Sequence, residues 1–380
     1  MRARDVGIRI GRMEPGDHNA ITDVAGVRVG HTTLVSGDGA LQPGDGPVRT
    51  GVTVIIPHEG DVWTEPVFAG AHRLNGNGEL TGLEWIRENG MLGGAIGITN
   101  THSVGVVRDA LIEAAAHAHA MRDDVWALPV VGETYDGALN DINGFHVRPN
   151  HVHGALASAA GGAVAEGNVG GGTGMICHEF KGGIGTASRR TPAGIVGVLV
   201  QANYGVRELL RIDGVPVGSA ILTAEVPSPW DQVDALTGRA GIDGRAGPEG
   251  GSIIGIVATD APLLPHQCAR LAQRVGMGVA RMGSYASHGS GDLFLAFATG
   301  NRDLSRHAAE DDPRATVALR MVTDAHINPL LEATVEATEE AIANALLAAD
   351  TMTGRDGITA HALDHDRLRT IMRAHGRLAD

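Results

Sequence analysis

One junction constrains this chain more than any other: Pro248-Glu249-Gly250-Gly251-Ser252, continued by Ile253-Ile254-Gly255-Ile256-Val257-Ala258-Thr259-Asp260. A polar, glycine-rich turn ends at a serine, and the serine opens an apolar, β-branched run that reads as a buried strand. Glycines at 250 and 251 permit a strained turn and close backbone approach. Asp260, ahead of Ala261-Pro262 and a helical pattern, is an N-cap candidate. A hydroxyl at the start of a rigid strand stands where a nucleophile can be held. It also stands where a loop–strand–helix junction would carry an incidental serine.

The rest of the chain alternates loosely between apolar runs and helical patterns, which predicts helices on sheets. Thr53–Ile56, Gly94–Asn100, Trp126–Val131, Ile195–Gln201 and Leu293–Ala298 read as strands. Thr81–Ile86 reads as a short helix, and Val104–Met121 as a longer one, with Val107, Leu111 and Ala115 on one face. An alanine-rich helix is predicted over His153–Glu166, and two strands around the Asp213-Gly214 turn within Leu209–Val217. Residues 225–250 read as a loop-rich connector. Residues 314–349 read as two helices broken near Ile327-Asn328-Pro329, and the polar tail from Thr351 has no clear pattern. No linker divides the chain, so residues 1–380 are expected to form one domain.

Composition narrows the function. Aromatic residues make up only 3% of the chain and glycine accounts for 55 of 380 residues. A core here must be built from Ala, Val, Ile and Leu, with glycine allowing layers and turns to approach closely. The formal charge of −14, from 44 acids against 30 bases, argues against nucleic acid or an anionic membrane as partner. Two cysteines, Cys177 and Cys268, give no disulfide scaffold. No apolar signal segment or stretch of about 18 apolar residues is visible, so a cytoplasmic protein is expected.

Five separated motifs carry a resemblance. Ala3-Arg4-Asp5 with Asn19–His31 comes first, then Glu133-Thr134-Tyr135-Asp136-Gly137 and Gln201-Ala202-Asn203-Tyr204-Gly205. Gly251-Ser252 with its strand and His288-Gly289-Ser290-Gly291-Asp292 complete the set. In this order the chain resembles the DmpA-type L-aminopeptidase/D-esterase/amidases, which include the β-peptidyl aminopeptidases. The resemblance implies an α+β, four-layer αββα sandwich similar to the N-terminal-nucleophile hydrolases but with different connectivity. It also implies self-cleavage between Gly251 and Ser252, giving an α chain 1–251 and a β chain 252–380, and a homotetramer of αβ units.

The residues support that chemistry on their own terms. A serine hydroxyl is weak until a base takes its proton, and no Gly-x-Ser-x-Gly elbow surrounds Ser252. Its own α-amine, freed by cleavage, has a pKa of roughly 7.7–8.0, near operating pH. Ser290 and Asp292 can relay or orient protons, although Ser/Asp turns are common. Asn203, just past an apolar strand, can donate to an oxyanion or serve turn chemistry. For Glu133 and Tyr135 the resemblance implies binding of the substrate's free amine, through the carboxylate, and lining of the pocket; an aminopeptidase needs an anion there, because a buried ammonium without a partner is costly. The glycine run 170–174 lacks a P-loop lysine, and the pairs His117/His119 and His151/His153 lack metalloprotease spacing, so no metal and no cofactor are expected.

The sequence thus predicts a self-processing serine aminopeptidase/amidase that releases small N-terminal residues from short peptides, amides or esters. Two rivals remain: an acyltransferase of the ornithine acetyltransferase type, which uses threonine where this chain has Ser252, and an uncleaved small-molecule binding protein.

Overall fold

The computed structural model describes residues 1–237, 251–304 and 316–378. Pro248, Glu249 and Gly250 of the junction lie outside the described residues, whereas Gly251 and Ser252 lie within them.

Among the described residues, ten strands form the two main sheets. The smaller sheet has the order β1 (Arg28–Ser36), β2 (Val48–Ile56), β5 (Ile96–Asn100) and β6 (Val130–Thr134). The larger has the order β4 (Met91–Leu92), β3 (Val67–Gly76), β12 (Gly291–Ala298), β11 (Ser252–Thr259), β10 (Gly194–Asn203) and β9 (Gly183–Thr191). A short ribbon, β7 (Ile176–Cys177) and β8 (Phe180–Lys181), precedes β9. The two parallel pairs, β5 with β6 and β11 with β12, each need a crossover connection. After the short helix α1 (Leu83–Asn89), helices α2 (Val104–Ala118) and α5 (Pro265–Arg281) supply them.

Each sheet is apolar on both faces, so it is buried on both. Val29, Ile55, Ile96, Ile98 and Val130 of the small sheet meet Ile184, Leu199, Ile254, Ile256, Leu293 and Leu295 of the large one. Outside the small sheet, Val52, Val54 and Val131 pack against Val107 and Leu111 of α2 and Val152 and Ala155 of α3 (Pro149–Ser158). Outside the large sheet lie α5 and α6 (Asn328–Leu347). Leu271, Ala272, Val275 and Val279 of α5 are buried, which follows the helical period. The result is the expected four-layer αββα sandwich. Among the described residues no helix is long and apolar enough to cross a membrane.

Several local expectations differ. The chain 126–129 is not a strand: β6 starts at Val130 and runs through Glu133 to Thr134. The alanine-rich segment is helical only to Ser158, because Ala160 leaves the helix to bridge Val29 and Gly161-Gly162 follow. Leu209–Val217 holds only an Ile212–Val215 bridge around the tight Asp213-Gly214 turn, flanked by 3₁₀ turns. The connector contains a helix, α4 (Pro229–Thr237). Asp260 is not an N-cap: its carboxylate accepts from the Ile195 N–H at 2.6 Å, and α5 begins later, at Pro265. Described residues 316–327 hold only a 3₁₀ turn, and α6 is a single helix starting at Asn328-Pro329, where a proline fits the first turn. The tail forms a two-stranded ribbon and α7 (His365–Ala374).

Candidate active site

The carboxyl ends of β5 and β6 face the amino ends of β11 and β12 across a cleft of about 1070 Å³. Glu133, Tyr135, Asn203, Gly251 and Ser252 all line it. Four of the five sequence motifs, those with Glu133 and Tyr135, Asn203, Gly251-Ser252 and His288-Gly289, therefore meet at the cleft, whereas Ala3-Arg4-Asp5 with Asn19–His31 does not line it.

Ser252 is the first residue of β11 and is buried. It lies opposite Asn203 on one side and beside Gly291 on the other. The Gly291 N–H donates to the Gly251 carbonyl oxygen at 2.9 Å. The carbonyl that precedes the serine is thus fixed in the sheet and polarised. Glycine is required at both positions. A Cβ on Gly291 would lie 2.3 Å from the Asn77 carbonyl and 3.0 Å from Ser252 Oγ, and one on Gly251 would lie 2.6 Å from the Asn203 carbonyl.

Ser290 and Asp292 flank Gly291 and are both buried. Ser290 Oγ donates to Asp292 Oδ1 at 2.7 Å, and Asn75 Nδ2 reaches Asp292 Oδ2 at 3.3 Å. Burial pushes the Asp292 carboxyl up to about 6, against the pull of Ser290, Asn75 and the Ile253 backbone. Side chains alternate along a strand. Ser252 shares the face of its partner Gly291, so Asp292, the partner of Ile253, projects to the other face.

Asn203 ends β10, with both ends of its amide fixed. Oδ1 accepts from the Ile176 N–H at 2.7 Å, and Nδ2 donates to the Tyr135 carbonyl at 2.9 Å. These partners identify oxygen and nitrogen unambiguously, because only Oδ1 can accept from an N–H. One Nδ2 hydrogen remains for the cleft.

Glu133 is buried in β6 across the cleft. Its Oε1 accepts from the Glu79 N–H at 3.0 Å and its Oε2 accepts from Thr101 Oγ1. Burial raises the carboxyl above its usual range, opposed by these two hydrogen bonds. A buried carboxylate held by two donors keeps further acceptor capacity toward the cleft.

As a sequence, Asn75-Gly76-Asn77-Gly78 signals only a turn. In the structure Asn75 Nδ2 also donates to the Ala286 and Ser287 carbonyls, at 2.8 and 2.9 Å, and Asn77 Nδ2 donates to the Gly289 carbonyl at 2.7 Å. Two asparagines so close to glycines signal side-chain-to-backbone bonding, but not which loop receives it. Thr101 and Trp230 of the cleft carried no signal. The glycine run is a close-packed turn: a Cβ on Gly171 would lie 2.6 Å from the Ile98 carbonyl, and one on Gly172 2.4 Å from the Ile184 nitrogen. Among the described residues no three His, Cys, Asp or Glu side chains are grouped to hold a metal ion. Cys177 and Cys268 are buried free thiols.

Two stacked sheets between helical layers, with a cleft at the strand ends, define a fold of the N-terminal-nucleophile hydrolase type. The Peptidase family S58 model matches residues 19–360. The chain is 48% identical, over 100% of its length and 93% of the relative's, to the β-peptidyl aminopeptidase BapA of Sphingosinicella microcystinivorans. It superposes on a β-aminopeptidase from Burkholderia sp. with a TM-score of 0.88 and 52% identity, covering 99% of both chains. The same TM-score of 0.88, at 43% identity over 100% of this chain and 99% of the other, relates it to the L-aminopeptidase D-Ala-esterase/amidase of Ochrobactrum anthropi. That enzyme is described as a prototype serine aminopeptidase and a new variant of the Ntn hydrolase fold. The chain belongs to Peptidase family S58 and is a serine aminopeptidase.

Proposed function

We propose that the chain cuts itself between Gly251 and Ser252 and then uses Ser252 to release N-terminal residues from short peptides, amides or esters. The observation that carries this reading is the Gly251 carbonyl, held by the Gly291 N–H at 2.9 Å beside the Ser252 hydroxyl. In the first reaction Ser252 Oγ attacks the Gly251 carbonyl carbon, and the Gly291 N–H stabilises the developing oxyanion. As the C–N bond breaks the nitrogen takes up the proton given up by the hydroxyl, which frees the Ser252 amine and leaves an ester to Gly251; water then cleaves the ester, releasing the Gly251 carboxylate and restoring the Ser252 hydroxyl. In turnover that amine takes the hydroxyl proton and later returns a proton to the leaving group. Asn203 donates to the oxyanion, Ser290 and Asp292 assist proton movement, Tyr135 lines the pocket, and Glu133 holds the substrate ammonium.

The relatives named β-peptidyl aminopeptidase and β-aminopeptidase extend the substrate class to N-terminal β-amino acyl groups. No cofactor takes part. The enzyme works in the cytoplasm as a homotetramer of αβ units.

The test of substrate recognition is Glu133→Gln. Loss of a charge-assisted contact worth about 1.5–3 kcal/mol lowers kcat/KM on peptides with a free amine, and N-acetylated peptides are poor substrates of the parent. Equal kcat/KM on free and acetylated peptides would remove Glu133 from this role.

A further inference from the structure

Lys181 is fully buried at the end of β8, beside the glycine run. Its three contacts are backbone carbonyls, those of Met175 at 2.7 Å, Gly182 at 3.0 Å and Gly172 at 3.4 Å. A buried ammonium whose hydrogen bonds all go to neutral carbonyls is costly, and burial lowers this lysine to about 7, against the raising influence of Cys177 and Asp136. Simple loop closure does not require a charge, because a neutral amide also donates to carbonyls.

The Met175 carbonyl belongs to the same peptide group as the Ile176 N–H. That N–H donates at 2.7 Å to Oδ1 of Asn203, and Asn203 stands directly opposite Ser252. A continuous chain of donors therefore runs from the Lys181 ammonium through the Met175–Ile176 peptide and the Asn203 amide to the cleft. Hydrogen bonds in such a chain polarise one another, and a charge at its head makes the last N–H a better donor. The Gly182 N–H also donates to the Met175 carbonyl, at 2.9 Å, which fixes the plane of the peptide.

We propose that Lys181 is a positioning residue for turnover, polarising and orienting the Asn203 amide as donor to the oxyanion through the Met175–Ile176 peptide. This rests on the reading of Ser252 as nucleophile and Asn203 as oxyanion donor. Lys181 touches neither substrate nor Ser252. Its contribution is greatest where negative charge develops, so it acts on kcat and leaves ground-state binding unchanged.

The experiment compares Lys181→Met, Asn203→Ala and the double variant, each read as kcat and KM per mole of self-cleaved enzyme on one free-amine amide substrate. Lys181→Met is expected to lower kcat by about tenfold with KM changed less than about twofold. In the Asn203→Ala background the same change is expected to cost less than about twofold, because the donor it serves is gone. Multiplicative losses, or a raised KM with kcat intact, would overturn the proposal. If Lys181→Met does not give folded enzyme, Lys181→Gln, which keeps two donors and loses the charge, is read on the same axes. Failure of both to fold assigns Lys181 to the core and also overturns it. The reading on which the proposal rests is judged separately, by whether the Ser252→Ala chain stays whole.

Discussion

In the proposed first cleavage, the pH dependence would rest on Asp292. Burial holds its carboxyl at about 6, above the ordinary carboxylate range. Below that pH it is protonated and cannot draw a proton from Ser290; above it, it is charged and can. Self-cleavage of freshly folded chain should accelerate as pH rises from 5 to 7, with a midpoint near about 6. Asp292→Asn should remove that rise. A rate independent of pH over this range, measured by the fraction of cleaved chain with time, would contradict the assignment. The strand register also bears on what the Ser290–Asp292 pair does after maturation. Asp292 projects away from the face of the Ser252 side chain and lies by the Ile253 backbone. The pair is therefore better placed to tune the backbone amine of Ser252 than to take the hydroxyl proton itself.

At the scale of elements, the strands buried on both faces were the most legible. Ile195–Gln201, Ser252–Thr259 and Leu293–Ala298 are continuous apolar runs, and all three became neighbours in the large sheet. What such runs cannot encode is pairing. Asn203, Ser252 and Gly291 meet only through two registers that join distant parts of the chain, so the Gly291 N–H had no local signature. Lys181, Asn75 and Thr101 were missed for the same reason, since each acts on a residue fixed by tertiary contact. Helix ends were misread where a tertiary bond outweighed propensity, as at Ala160 and Asp260. The abundance of glycine, by contrast, translated directly into close layers. A Cβ on Gly185 of β9 would lie 1.9 Å from the Ala341 carbonyl of α6. Gly185→Ala must push helix from sheet, at about 1–3 kcal/mol for overpacking. A lowered midpoint in chemical denaturation checks this, and an unchanged midpoint would mean that the layer yields more freely than its packing indicates.

At the scale of the molecule, cleavage between 251 and 252 would leave two fragments that cannot simply part. Strands β11 and β12 would belong to the second fragment, yet they sit between β3 and β10 of the first. Arg189 of β9 pairs with Glu336 at 3.0 Å and Glu340 at 2.6 Å of α6, fully buried, and Arg4 adds a 2.9 Å pair to Glu340. Breaking one member of such a cluster leaves a buried charge uncompensated. The fragments should therefore co-elute in size-exclusion chromatography without denaturant and separate only in its presence. Separation under native conditions would contradict the interleaved sheet. The most direct measurement is intact mass with amino-terminal sequencing, on the parent and on Ser252→Ala. The parent is expected to give fragments 1–251 and 252–380, the second beginning Ser-Ile-Ile-Gly, and Ser252→Ala one full-length chain. A parent that stays whole while active, or a Ser252→Ala chain that still splits at this bond, would contradict the self-cleaving serine mechanism.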